Sequence, residues 1–319
     1  MKRLAILFVC LFLFGSTANA WNDKGHMAIT RLAWKELSAD ERTKILKLLE
    51  SHPHYKEFLC EAKPENIPLE EWIFMRAATW SDWVRGGPPE RKAFNRPEWH
   101  YINIPIIPQG DDVKAPGEGD ANVVKQVGLS KQIAVAGGDR VERAVHLTWL
   151  FHLITDMHQP LHCCTLYSKQ YPEGDKGGNL SKVQLAEGGL IQLHGFWDGL
   201  LGKEVSNSSL GKSVLELEES YKANSAKIDD EIAKHTKPME WAMESHDQAV
   251  KSVYLDLNLK VTMAKTAFIN GEVKILNDKE KAPVAPAGYA QQAGECARYQ
   301  GAKAAKRLAA VLKEVAAAN

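Results

Sequence analysis

The densest run of ligand-type side chains is Phe151-His152-Leu153-Ile154-Thr155-Asp156-Met157-His158-Gln159-Pro160-Leu161-His162. His152 and Asp156 stand at i and i+4, so a helix projects both from one face. An imidazole and a carboxylate at that spacing can grip one cation. Their neighbours Leu147, Trp149, Leu150, Phe151, Leu153 and Ile154 are apolar, which predicts a buried helix. A buried carboxylate needs a compensating charge. A metal ion would supply it; a plain His–Asp hydrogen bond is the structural alternative. His158 lies about 240° around the helix from His152, off the ligand face, and reads as a hydrogen-bonding residue at the helix end. His162 follows Pro160, where the chain has turned and can point back.

Other segments carry the same residue types. His194 and Asp198 form a second His-x3-Asp pair. With His162 they make a three-ligand site that leaves a position open for water or substrate. Asp82 and Arg85 share a helix face; an ordinary surface ion pair is the alternative. His100 sits between aromatic residues in Trp99-His100-Tyr101-Ile102-Asn103, where a core histidine is the alternative. A chain beginning at Trp21 would present a free α-amine, a nitrogen donor once deprotonated, with a pKa near 8. A metal lowers that further by competing with the proton, and His26 could close on the same ion. His52, His54, His146, His235 and His246 read as structural or solvated.

Trp21 becomes a chain start if residues 1–20 are a processing signal. Lys2 and Arg3 are followed by an apolar run from Leu4 to Phe14 and by Ala18-Asn19-Ala20, a small-x-small cleavage site. The run is short for a membrane span. Secretion or a periplasmic location is the expectation, with residues 21–319 as one domain. Charge is balanced at 40 basic and 40 acidic residues, which excludes a strongly basic nucleic-acid coat protein. An oxidising compartment permits disulfides among Cys60, Cys163, Cys164 and Cys296; disulfides or free buried thiols are expected, and zinc ligation, for which no CxxC spacing is present, is the alternative. Sequence does not choose among the pairings.

The elements that must position these residues are helical. Periodicity predicts a helix from Asp23 to about Leu37. Ser38 and Glu41 form a capping box that opens a second helix through Leu49. A third is expected from about Leu69 to Val84, then a Pro- and Gly-rich loop over 87–118. The apolar helix at 139–158 must stop before Pro160. Residues 166–190 read as a loop or short hairpin. Helices follow at about 213–234 and 238–256, a linker at 279–286, and an Ala-rich helix from Tyr289 to Ala317. The fold class is all-α, one domain with long functional loops.

Taken in order, these motifs resemble the S1/P1 nuclease family, zinc-dependent single-strand nucleases of fungi, plants and bacteria. The resemblance covers most of the mature chain. It runs from Trp-x4-His at Trp21, Asp-x2-Arg at Asp82 and His-Tyr-Ile at His100 to His-x3-Asp-x-His-Gln-Pro-Leu-His at His152. Gly-Asp-x-Gly-Gly-Asn ending at Asn179, His-x3-Asp at His194 and Trp-Ala-x-Glu-Ser at Trp241 complete it. It implies a helical fold around a cleft with three zinc ions. Asp82, His100, His152 and Asp156 would hold the first. His162, His194 and Asp198 would hold the second. The Trp21 amine and carbonyl, with His26 and Asp156, would hold the third. The implied reaction is in-line attack of an activated water on phosphorus, with Arg85 stabilising the transition state, yielding 5′-mononucleotides from single-stranded DNA or RNA. A 3′-nucleotidase activity goes with it. Tyr101 would be a stacking platform, Asn103 would meet the base edge and Asn179 would line the cleft. Many fungal and plant members carry Asp at the Asn103 position, so base preference is expected to differ. A zinc-dependent phospholipase C is the alternative; the short Trp21-to-His26 gap and Asp198 as last ligand favour the nuclease. A non-catalytic zinc-binding protein is a third reading. Oligomeric state, pH optimum and a role for 203–236 are not legible.

Overall fold

The computed structural model describes residues 21–117, 119, 121–269 and 272–319; the processing signal proposed for 1–20 lies outside them. Helix accounts for 56% of the chain and strand for 6%, so the all-α expectation holds. Helix α1 (Asp23–Lys35) and α2 (Ala39–Leu49) come first. The Ser38–Glu41 capping box closes in both directions at the start of α2, a device that contributes about 1 kcal/mol. The helix expected at 69–84 is two: α3 (Leu69–Ala77) and α4 (Trp80–Trp83). The break has a reason within the fold, because the carbonyl of Ala78 binds the imidazole of His152 instead of continuing a helix. The 87–118 loop contains a short α5 (Pro89–Lys92), a 3₁₀ turn over Pro97–His100 and strand β1 (Pro105–Ile106).

Helix α6 (Val123–Val135), capped by Asn122, lies in a stretch where no helix was expected. It packs on α7 (Arg140–Asp156), capped by Asp139. From Leu147 to Asp156 every residue of α7 is buried, as its apolar composition predicts. A 3₁₀ turn over Pro160–Cys163 and strand β2 (Thr165–Leu166, parallel to β1) follow. The 166–190 region resolves as a hairpin of β3 (Ser181–Gln184) and β4 (Leu190–Gln192), extended by the later strand β5. Helix α8 (Leu193–Asp198), the kinked α9 (Asn207–Lys234) and α10 (Pro238–Gln248) come next. A π-turn over Ala249–Val253 takes the place of the last turns expected for α10. Strands β5 (Thr262–Met263), β6 (Thr266–Ile269) and β7 (Glu272–Ile275) precede α11 (Tyr289–Ala317).

The main core joins α1, α2, α3, α4, α6, α7 and α11 around Phe74, Trp80, Trp149, Phe151 and Leu308. A smaller cluster around Trp197, Tyr254 and Tyr289 supports the β3–β4 hairpin. Truncating an aromatic such as Phe151 in such a core costs roughly 3–5 kcal/mol. Behind α7, the buried Arg307 of α11 donates to both carboxylate oxygens of Glu244 on α10, at 2.8 and 2.9 Å. It also donates to Nε2 of His158 at 2.9 Å. Nδ1 of His158 donates to the Ile154 carbonyl. His158 therefore faces away from the ligand side of α7, as its angular position predicts.

Candidate metal centre

Six separate segments deliver ligand-type side chains to one end of α7. His26 comes from α1, Asp82 from α4, His100 from the Pro97–His100 turn, His152 and Asp156 from α7, His162 from the Pro160–Cys163 turn, and His194 with Asp198 from α8. Three triads have ligand atoms mutually within 4.8 Å: His26, Asp82 and His152; His100, His152 and Asp156; His162, His194 and Asp198. The last is the three-ligand set expected from sequence. The first two share His152, so the residues foreseen for two ions form one continuous patch.

At its centre, Oδ2 of Asp156 lies 3.0 Å from both His152 Nε2 and His100 Nδ1. Oδ1 of Asp156 lies 3.4 Å from His26 Nε2. Its two oxygens thus face different neighbours. Asp82 Oδ1 is 3.8 Å from His152 Nε2 and 3.9 Å from His100 Nδ1. The alternative of a surface pair fails: the Asp82 and Arg85 side chains are 10% and 12% exposed, with Arg85 Nη2 2.9 Å from Asp82 Oδ1. In the third triad His194 Nε2 is 3.6 Å from Asp198 Oδ2.

Carbonyl oxygens orient the imidazoles from behind. Nδ1 of His152 donates to Ala78 O at 2.7 Å, Nδ1 of His162 to His100 O at 2.7 Å, and Nδ1 of His194 to Gly177 O at 2.6 Å. A carbonyl only accepts, so each Nδ1 carries a proton and each Nε2 is turned toward the site. Such outer partners are the usual support of metal-ligating histidines. His26 Nδ1 is 2.6 Å from Thr155 Oγ1. The buried Nε2 atoms of His26 and His162, and Oδ1 of Asp156, have no hydrogen-bond partner among the described residues. Buried polar atoms are rarely left so. Imidazole and carboxylate donors in triads, with an orphaned atom facing inward, fit a borderline divalent cation.

The electrostatics agree. Burial holds His26, His100 and His162 well below the ordinary imidazole range, leaving them neutral donors. Burial pushes the carboxyls of Asp156 and Asp198 up, with His152 opposing it at Asp156 and the Gln159 hydrogen bond at Asp198. A cation at the centre would supply the charge that burial denies these acids.

Trp21 is fully buried beside this site. Its indole Nε1 donates to Thr155 O at 3.0 Å, and Asn22 N donates to Asp198 O at 3.2 Å. The Gly25 position is a packing requirement, since a Cβ there would meet Trp21 Cβ at 2.8 Å. Tyr101 is 37% exposed at the rim. Asn103 is exposed too, and Thr165 Oγ1 donates to its Oδ1 at 2.7 Å. Asn179 is 5% exposed. Gln192 donates to its Oδ1, and its own Nδ2 donates to Lys176 O.

Sequence reasoning passed over Thr155, Gln159 and Asp175. Gln159 donates to Asp198 Oδ1 at 2.7 Å while its Oε1 accepts from Leu161 N. The signal for Thr155 and Gln159 was a polar side chain on an otherwise apolar stretch. No disulfide joins the four cysteines of the described residues in this structure: Cys163 and Cys164 are buried, Cys60 and Cys296 half-buried, and Cys163 Sγ donates to Met157 O. The neighbours Cys163 and Cys164 pack into different core clusters, so they face apart.

A helical scaffold that gathers His and Asp triads around one buried carboxylate defines a class, that of metal-dependent hydrolases built on helices. The family model for S1/P1 Nuclease matches residues 21–317, and the chain belongs to that family. It is accordingly a nuclease, an enzyme that hydrolyses phosphodiester bonds. The comparison with curated proteins finds no match. No helix among the described residues is long and apolar enough to cross a membrane.

Proposed function

We propose that the protein is an exported zinc nuclease that cleaves single-stranded DNA or RNA to 5′-mononucleotides, with 3′-nucleotidase activity. The observation that carries this reading is the convergence of the three His/Asp triads beside Arg85. Asp82, His100, His152 and Asp156 would hold one zinc ion, and His162, His194 and Asp198 a second. The Trp21 amine and carbonyl, with His26 and Asp156, would hold a third once processing after Ala20 exposes the amine. Bound there, the ions supply an acidified water and neutralise phosphate charge at neutral pH.

The chain's own residues do the rest. Asp156, with oxygens facing different neighbours, is placed to serve two ions. Arg85 is oriented by Asp82 toward the same space, where its guanidinium would bind a phosphate oxygen as negative charge builds. Tyr101 offers a ring face at the rim on which a base can stack. Thr165 engages Asn103 at Oδ1, which leaves the amide N–H groups for a base edge. Asn179 retains one N–H for substrate after its bond to Lys176. Its burial argues against glycosylation of the Asn179-Leu180-Ser181 sequon. The family match goes to nucleases, so the phospholipase alternative is not favoured.

The deciding experiment compares turnover of single-stranded DNA, single-stranded RNA, duplex DNA and phosphatidylcholine by protein beginning at Trp21, with elemental analysis of the same sample. Faster cleavage of single strands and about three zinc ions per chain, the count implied by the ligand sets, are expected. Lipid turnover without nucleic-acid turnover, or active protein without bound metal, would sink the reading.

A further inference from the structure

The Gly-Asp-x-Gly-Gly-Asn motif contains a carboxylate that touches no ligand candidate. Asp175 is fully buried, yet it is surrounded by neutral donors. Oδ2 accepts from Tyr254 Oη at 2.6 Å and from Ser181 Oγ at 3.2 Å. Oδ1 accepts from Leu166 N at 3.0 Å, and the backbone N–H of Gly178 adds a further bond. The main chain of Asp175 is bound as well: its N–H donates to Leu166 O and its carbonyl accepts from Leu180 N, both at 3.0 Å. An ionised carboxylate is acceptor-only. It suits a pocket whose contributors, β2, β3 and the segment after α10, all present donors.

The next three residues form an unusual turn. Lys176, Gly177 and Gly178 have φ of 56°, 58° and 79°, a left-handed run that a non-glycine such as Lys176 adopts only when its surroundings hold it there. A Cβ on Gly177 would lie 2.4 Å from Leu161 O, so the turn is pressed against the His162 segment. Its product is one aimed carbonyl: Gly177 O receives His194 Nδ1 at 2.6 Å, which turns Nε2 toward Asp198.

We propose that Asp175 is a positioning residue for the His162–His194–Asp198 triad. It acts by holding the left-handed turn whose Gly177 carbonyl sets the tautomer and rotation of His194. Tyr254 is its principal support. This rests on the metal-centre reading above.

The test uses zinc-loaded wild type, Asp175→Asn, Tyr254→Phe and His194→Ala, all beginning at Trp21. Zinc per chain and the rate at which each ion passes to a coloured chelator are measured, with kcat and KM for single-stranded DNA. His194→Ala marks which ion belongs to the triad. In Asp175→Asn that same ion should leave about 10- to 100-fold faster, the usual effect of losing an outer-shell partner. The other ions should keep their wild-type rates, and the metal-free protein should still melt cooperatively. Tyr254→Phe should speed the same ion to a smaller degree. Wild-type release in both variants, or equal weakening of every ion, overturns the proposal, since a general loss of structure would not single out one site. If Asp175→Asn does not fold, Tyr254→Phe decides alone, and unchanged release in it overturns the proposal. A wild type that binds no zinc would overturn the metal reading itself, whereas a loaded wild type with unaffected variants would overturn only this assignment.

Discussion

Arg85 and Tyr101 both border the metal centre, and their surroundings predict different kinetic consequences. The Arg85 guanidinium is mostly buried and paired with Asp82, which in the proposed reading would pre-orient it for charge that develops on phosphate. Arg85→Ala should lower kcat by roughly 10²–10³-fold, the usual scale for one lost oxyanion donor, while zinc content stays at the wild-type value. Unchanged turnover with full metal would remove Arg85 from the mechanism. Tyr101 presents an exposed ring and no ligand atom. Tyr101→Ala should forfeit about 1–3 kcal/mol of base stacking, seen chiefly as a raised KM with zinc retained. An unaltered KM for single strands would show that the base stacks elsewhere. The family resemblance implied both proposed roles, because residue type and spacing survive in a linear string. Thr155, Gln159 and Asp175 were not, because their value lies in which carbonyl, carboxylate or hydroxyl the fold sets opposite them.

Helix α7 is the element on which the site depends. One face carries His152 and Asp156, and His158, just beyond its last turn, points the other way and is gripped by Arg307. Although burial pushes the Glu244 carboxyl up, hydrogen bonds and charge from Arg307 and Lys303 outweigh it and bring its pKa down to about 2, from an ordinary 4.5. An acid with a lowered folded-state pKa stabilises the fold above its unfolded value and loses that contribution as pH falls through the folded one. Glu244→Gln should therefore cost stability at pH 7, by about 3 kcal/mol, because buried Arg307 loses its carboxylate partner while Lys303 keeps Glu231. The gap to wild type should narrow as pH drops from about 4.5 toward about 2. Equal melting temperatures for variant and wild type at pH 7 would contradict this assignment. Periodicity located α1, α2, α7 and α11 well. It missed the α3–α4 break, since that break exists to give the Ala78 carbonyl to His152, a contact remote in sequence.

For the molecule as a whole, the chain start proposed at Trp21 lies beside the site. Trp21 is buried beside Thr155 and His26, and Asn22 is bonded to the backbone of Asp198. An added residue before Trp21 should remove the α-amine from the metal. Such protein should lose one zinc ion per chain and most nuclease activity, by comparison with protein trimmed at Ala20. Full zinc loading with full activity in the extended form would exclude the amine as a ligand.

What the linear chain determined was the inventory: helical periodicity, the His-x3-Asp pairs and the break at Pro160; the leader expected over residues 1–20 lies outside the described residues. Periodicity and i,i+4 spacing are local properties, so they can be read without coordinates. Only the tertiary structure decided that six segments meet at one end of α7, which imidazole nitrogen faces inward, that Cys163 and Cys164 face apart, and that Asp175 is enclosed by donors. Those outcomes depend on packing between residues remote in sequence, 134 positions apart in the Trp21–Thr155 bond and 149 in the Arg307–His158 bond, and no local pattern encodes a distance of that kind.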